Sequence, residues 1–216
     1  MLILGIETSG SRCSVAIARD DKTLIECNTE ITNLHAEILG ELVEGGLGSL
    51  KIDSGELDLV AVASGPGSFT GLRIGMAYAK GLAYALEIPI ISVTNFEILA
   101  FQGILNLYPI DVFIDAHVNK FYYAQFASKD NDPYDIQIID HMLVKSILEN
   151  SVQAVVQRHI LPAFISEFEM ENRVVLGSGY FAGVVCEIAH KKHTAGIYEN
   201  LNDLEPLYLQ KFAGAR

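Results

Sequence analysis

The chain has 216 residues, half of them hydrophobic, enough to bury one sizeable core or two small ones. Its 27 acidic against 15 basic residues give a formal net charge of −12, which phosphate backbones repel, so nucleic-acid binding by this chain alone is not expected. No stretch approaches the ~18 uninterrupted apolar residues of a membrane span, and no positively charged lead-in precedes the first apolar run, so a cytoplasmic protein is expected.

Residues 2–9, 13–19 and 23–30 alternate and cluster as three strands of a meander, with Asp20-Asp21 turning between the last two. A helix of about three turns follows over 33–44, capped by Asn33, favoured by Glu37 in its first turn and ended by Gly45-Gly46. Its apolar positions are Leu34, Ile38, Leu39, Leu42 and Val43. A buried strand over 57–64 runs into Gly65-Pro66-Gly67, a tight reversal, and Ser68 or Thr70 caps the helix that follows. A strand over 88–93 and a helix from Asn95 to about Leu107 complete the first half.

From Asp111 the order restarts with strands VFIDA and KFYYAQFAS, a turn at Asn131-Asp132-Pro133 and the strand YDIQIID. Glu7 and Asp115 then occupy equivalent strand-end positions in a weak internal duplication. The unit RVVLGSGYFAGVVCEIA, 173–189, echoes the strand-turn-helix of 59–77. Two three-strand meanders, each followed by helix-strand units, predict a duplicated α/β architecture with a cleft between the copies. The expected division is a first domain over 1–108, with 200–216 packing back on it, and a smaller one over 109–199, hinged near Leu107, Tyr108 and Pro109.

The most informative block is GPGSFTGLRIGMAYAKGLA, 65–83. On a wheel of about 100° per residue, its helix is apolar nearly all round, with Arg73, Lys80 and Tyr84 as the polar strip. Such a helix is buried on more than one face, and Gly71, Gly75, Ala79 and Ala83 at spacing four admit another backbone closely.

This block, with LILGIETSGSRCSVAIA (2–18), NLHAEIL (33–39), VFIDAHVNKFYYAQF (112–126) and EPLYLQKFAG (205–214), resembles the TsaB (YeaZ) family of tRNA threonylcarbamoyladenosine biosynthesis proteins. His117 departs from the family, which more often has Arg after Asp-Ala, and 151–172 matches poorly. The resemblance implies the actin/Hsp70/sugar-kinase (ribonuclease H-like) fold and a non-catalytic subunit that supports TsaD. With the ATPase TsaE, TsaD transfers a threonylcarbamoyl group to adenosine 37 of tRNA. It further implies no catalytic residue, no metal and no cofactor of its own, with ATP or ADP only in the complex. When the chain is alone the resemblance leaves a homodimer open without deciding it, and tRNA is met only indirectly.

The residues bear on that expectation. The first loop, Glu7-Thr8-Ser9-Gly10, keeps an acid, hydroxyls and a glycine fit to approach phosphate, but Asp115-Ala116-His117 puts a methyl and an imidazole at the matching point. Gly177-Ser178-Gly179 could line a pocket or form a plain turn. The related TsaD family carries a His-x-x-x-His metal pair on its first helix; here His35 is followed at the fourth place by Leu39, and a lone imidazole cannot chelate. Cys13, Cys27 and Cys186 form no C-x-x-C pair, and His190-x-x-His193 sits beside two lysines. No Walker loop, H-E-x-x-H or G-x-S-x-G occurs, and the glycines of 65–71 lack the downstream carboxylate of a dinucleotide site. The alternative function is a small-molecule kinase of the same fold, using Glu7 and Asp115 around Mg-ATP.

The candidate partner face joins the helices starting near Asn33 and Thr70. Leu34, His35, Ile38, Leu42, Arg73, Met76, Ala77 and Lys80 would form an apolar plate with a polar edge. A second copy, or the similar helix pair of TsaD, would close it into a four-helix bundle.

Overall fold

The computed structural model describes residues 1–30, 34–102, 108–117, 120–128, 134–157, 174–177 and 179–209. The chain divides into two units, one of residues 1–95 with 180–216 and the other of residues 96–179.

In the first unit β1 (Leu2–Glu7), β2 (Cys13–Arg19) and β3 (Lys22–Thr29) form the antiparallel meander, and β4 (Leu59–Gly65) and β5 (Ile90–Thr94) add in parallel, in the order β3-β2-β1-β4-β5. β1 and β4 are buried at every residue, because each face of the sheet is covered. Leu4, Ile6, Val60 and Val62 meet α1 (His35–Leu50) and α2 (Phe69–Leu86) through Leu39, Val43, Met76 and Ala79. The other face takes α5 (Ala182–Thr194): a Cβ on Gly5 would stand 2.5 Å from the Ala182 carbonyl oxygen and 2.6 Å from Cys186 Sγ. Burial pushes the Cys186 thiol far up, so it behaves as a small core hydrophobe.

The second unit repeats the order. β6 (Ile110–Asp115), β7 (Lys120–Phe126) and β8 (Tyr134–Asp140) form a meander, and β9 (Gln153–Gln157) and β10 (Val174–Gly177) add in parallel, giving β10-β9-β6-β7-β8. Between β8 and β9 lies α4 (His141–Asn150), which the sequence reading leaves unassigned; Asp140 caps it by accepting from the Leu143 amide at 3.0 Å. Val144 of α4 packs with Phe113, Phe121 and Ile139 in a core of this unit's own.

Several expectations are corrected. Residues 180–199, expected in the second domain, belong to the first unit, because α5 lays Ala182, Val185, Cys186 and Ala189 against the first sheet. The division falls after Asn95, not near Pro109, and Leu107 of the expected hinge lies outside the described residues. Helix α1 does not end at Gly45-Gly46. It continues to Leu50 and closes on Lys51 in the left-handed region (φ 56°), because Gly46 is buried against Ile17 and Leu47 enters the core. Its N-cap is Leu34, with no side-chain bond; Asn33 lies outside the described residues, as do the 131–133 turn and 103–107. The strand expected from Leu57 starts at Leu59, since Asp53 and Glu56 close a capping box on a short 3-10 turn just before it. Helix α3 runs from Asn95 to Phe101 among the described residues.

Candidate functional site

Where β1 ends, the chain enters the loop Glu7-Thr8-Ser9, and nearly every polar group there is taken within the molecule. The Ser9 amide donates to Glu7 Oε1 at 2.6 Å, and the Ser9 hydroxyl donates to the same oxygen. Asn95, buried at the start of α3, donates through Nδ2 to Ser9 Oγ and to the Pro66 carbonyl, each at 2.7 Å. The Ser9 carbonyl accepts from the Ser68 amide at 2.7 Å, and the Thr8 hydroxyl donates to the Gly71 carbonyl at 2.8 Å. Ser68 also caps α2, accepting from the Gly71 amide at 3.2 Å.

The glycines of the 65–83 block therefore serve a contact other than the one expected. A Cβ on Gly71 would lie 2.0 Å from the Thr8 carbonyl oxygen, and one on Gly75 would lie 2.2 Å from Thr8 Oγ1. The backbone admitted by that spacing is the chain's own first loop. Glu7 is wholly buried, and burial raises its carboxyl to about 7, against the pull of the Ser9 hydrogen bonds and of Arg12. Its Oε2 and Asn95 Oδ1 have no hydrogen-bond partner among the described residues.

The equivalent point of the second unit is built differently. After β6 the chain makes a tight turn in which the Ala116 amide donates to the Lys120 carbonyl at 3.0 Å and the Lys120 amide to the His117 carbonyl at 3.2 Å. His117 takes the left-handed region (φ 62°), its amide donating to Asp115 Oδ1 at 2.8 Å. Asp115 thus shapes a hairpin turn. Of the Gly177-Ser178-Gly179 segment, Ser178 lies outside the described residues, and the Gly179 carbonyl accepts from Gln102 Nε2 at 2.7 Å. Among the described residues no group of three or more His, Cys, Asp and Glu side chains is placed to hold a metal ion.

Two members of the expected partner face are not on the surface. Met76 is 3% exposed and belongs to the core under α2; His35 is 7% exposed, with Nε2 3.2 Å from the Arg12 carbonyl, pinning the start of α1 to the start of β2. Met76 reads as facing outward because a helix apolar all round does not reveal which arc meets its own sheet, and His35 because a lone imidazole near a helix start reads as a solvent-edge residue. Leu34, Ile38 and Leu42 are half-buried, the last two against the chain's own core, while Arg73 and Ala77 are exposed. Lys80 is half-buried and donates to the Leu204 carbonyl at 2.9 Å. Arg73 lies 3.7 Å from the centre of the Phe69 ring and donates to Tyr208 Oη at 3.1 Å. The polar strip of α2 therefore fastens the returning segment 204–208 to the first unit.

Tyr84, which the candidate face omits, is 76% exposed, and with Ala77, Gly81 and Ala85 it makes the open side of α2. Asn95 was also missed as a site residue. Its signal was a polar amide at the junction of a buried strand with a helix, a position where an uncapped backbone needs a partner.

Comparison with known proteins places these features. A family model described as TsaD, tRNA N6-adenosine threonylcarbamoyltransferase, matches residues 29–154. The tRNA threonylcarbamoyladenosine biosynthesis protein TsaB of Buchnera aphidicola is 27% identical over 215 residues, covering 94% of this chain and 97% of the relative. The Escherichia coli protein of the same description is 29% identical over 157 residues, 71% of this chain and 67% of its own length. The solved structure of YeaZ from Pseudomonas aeruginosa superposes with a TM-score of 0.78 at 20% identity, over 96% of this chain and 99% of the other. That likeness carries the fold: two mixed sheets of one strand order, the duplicated α/β fold of the actin/Hsp70/sugar-kinase class.

Proposed function

We propose a role that rests on membership: the chain belongs to the TsaB (YeaZ) family, and its work lies in the biosynthesis of threonylcarbamoyladenosine in tRNA, in association with TsaD. Within that pathway it acts as a subunit without turnover of its own. It supports a TsaD-like transferase, which works with a TsaE-like ATPase in the cytoplasm, and it pairs with a second copy of itself when no partner is present. The observation that carries this reading is the closed first loop, where the amide, hydroxyl and carbonyl of Ser9 are all bonded inside the molecule. A loop that must cradle a phosphate needs those groups turned outward. The kinase alternative is not favoured, because the relatives are described by the tRNA modification.

The partner contact lies on the open sides of α1 and α2. Ile38 and Leu42 offer half-buried apolar surface, Ala77 and Gly81 are flat enough for another helix to approach, and Tyr84 supplies an exposed aromatic anchor. With a net charge of −12, tRNA is held by the partner and not by this chain. Co-purification with a TsaD-like protein tests the reading. Ala77→Glu, on an exposed position, should weaken association by about 2 kcal/mol or more while thermal unfolding stays at the wild-type temperature. Undiminished association in Ala77→Glu and Tyr84→Ala together moves the contact elsewhere, and steady ATP turnover by the pure chain, lost in Glu7→Ala, sinks the non-catalytic role.

A further inference from the structure

The chain leaves the first unit after Asn95 and returns to it at Tyr180. Both points close on the loop that follows β1. On the way out, Asn95 Nδ2 donates to Ser9 Oγ and to the Pro66 carbonyl, each at 2.7 Å. A carbonyl only accepts, so the Pro66 bond fixes which way the Asn95 amide points. On the return, Tyr180 Cδ2 would stand 3.6 Å from a Cβ on Gly10. The Ala182 amide then donates at 3.0 Å to the hydroxyl of Ser14, the residue opposite Glu7 in the pairing of β1 with β2.

At the centre of these fastenings two buried oxygens meet no donor. Ser9 Oγ donates to Glu7 Oε1 and accepts from Asn95 Nδ2, so three side chains form one directed chain of hydrogen bonds. At its two ends Glu7 Oε2 and Asn95 Oδ1 have no partner among the described residues, and both residues are 0% exposed. A neutral Glu7 carries a proton that turns one acceptor into a donor. An ionised Glu7 leaves two acceptors and a charge without water. The surroundings do not offset that charge. Arg12, ahead of β2, and the Ser9 bonds favour it, but burial outweighs them. Cys13 of β2 has its own thiol pushed up to about 11, mainly by burial. Glu26 of β3 accepts from Ser14 and brings a second acid. From α5 and its approach come Cys186, against Gly5, and Tyr180, against Gly10. The β4 turn and the start of α3 present the Pro66 carbonyl and the Asn95 amide, which are uncharged.

We propose that Glu7-Thr8-Ser9-Gly10 is a proton-operated latch: a neutral Glu7 fixes both points at which the chain crosses out of the first unit and back, and an ionised Glu7 releases them together. The charge draws water into the loop, and the Ser9 hydroxyl parts from Asn95 as it enters. The device sets the mobility of the two crossings and stands without the partner contact proposed above.

Amide hydrogen exchange of the whole chain at pH 6 and pH 8, corrected for the intrinsic pH dependence of exchange, tests the latch. The Glu7 carboxyl has its ordinary value of 4.5 with the loop open and about 7 with it closed. Protection over 95–101 and over 180–185 should therefore fall about tenfold between the two conditions, while β7 and α4 keep theirs. Glu7→Gln, neutral throughout, should show no such fall, and Ser9→Ala should lower protection over 95–101 at pH 6 already. The wild-type comparison needs no variant to fold. Protection that stays flat from pH 6 to pH 8 in the wild type overturns the proposal, as does a fall confined to one of the two segments or shared equally by β7 and α4. A fall that survives in Glu7→Gln, or unchanged protection in Ser9→Ala, overturns it too.

Discussion

The two halves of the molecule share a strand order and differ at the point where that order invites a ligand. In the first, the central strand ends in a loop stitched to the start of α2 and to Asn95, with a buried carboxyl at its centre. In the second, the equivalent strand ends in a hairpin turn shaped by Asp115 and a left-handed His117. Glu7 and Asp115 occupy the same topological place with opposite duties: one is an internal acceptor deprived of water, the other a turn-former within its reach. Topology alone therefore does not assign chemistry to a strand end; what packs on the loop does.

Four substitutions break or sharpen that contrast, taken from the largest expected effect downward. Gly71→Val should cost about 3 kcal/mol or more in urea unfolding, because even its Cβ would stand 2.0 Å from the Thr8 carbonyl oxygen. An Ala116→Val change in the second loop has no comparable backbone carbonyl against it among the contacts described and should cost clearly less. If the two cost the same, the stitched loop is not the special feature of the first half.

Met76→Glu comes next. With the side chain 3% exposed beneath α2, a carboxylate there has no partner and should lower stability by about 3 kcal/mol or more. A soluble, fully folded variant with an unchanged melting temperature would return Met76 to the surface.

Glu7→Gln sharpens the electrostatic side of the contrast. The Glu7 carboxyl rises from an ordinary value of 4.5 to about 7 in the folded chain because burial opposes its charge. The folded state then holds the proton longer than the unfolded one. Its contribution is fully present below 4.5 and is lost as pH rises toward and through about 7. The whole span corresponds to roughly 3 kcal/mol. Measured as the difference between wild type and Glu7→Gln, stability should fall between pH 5 and pH 8; a flat difference would mean that Glu7 is charged in the fold. Asp115→Asn, at the partly exposed turn, should have a smaller effect.

The smallest effect is expected from Arg73→Ala. Removing the contacts with Phe69 and Tyr208 should cost about 1 kcal/mol or less and appear mainly as faster amide exchange near 204–208. No change in exchange there would show that the backbone bonds of Leu204 and Leu207 hold the segment unaided.

Much of the frame was legible because its signals are local. The meander, the Gly65-Pro66-Gly67 reversal, the Ser68 cap and the restart at 111 all follow from short patterns that the structure repeats. What escaped depends on which surface a segment meets. Gly45-Gly46 reads as a helix end until Ile17 is seen packed on Gly46. Met76 and Ala77 are neighbours of similar character, and only the position of the sheet sends one inward and the other outward. Small residues in α5 carry no mark of which sheet they will cover, so that helix was assigned to the wrong half. The polar closure of the first loop was half legible: the acid and hydroxyls were evident, but that they would be spent on α2 and Asn95 was a tertiary fact.

The position of α5 bears on how the protein is made. The Ala182 amide bonds to the Ser14 hydroxyl across a separation of 168 residues, and α5 is the cover of a sheet whose strands are among the first described. At a synthesis rate of about 5 to 20 residues per second, that side of the sheet waits roughly five to twenty seconds for its cover while the entire second unit is being made. During that interval Ile3, Gly5 and Ala16 line an apolar floor with nothing on it. The first half should therefore complete its fold only after the second has emerged.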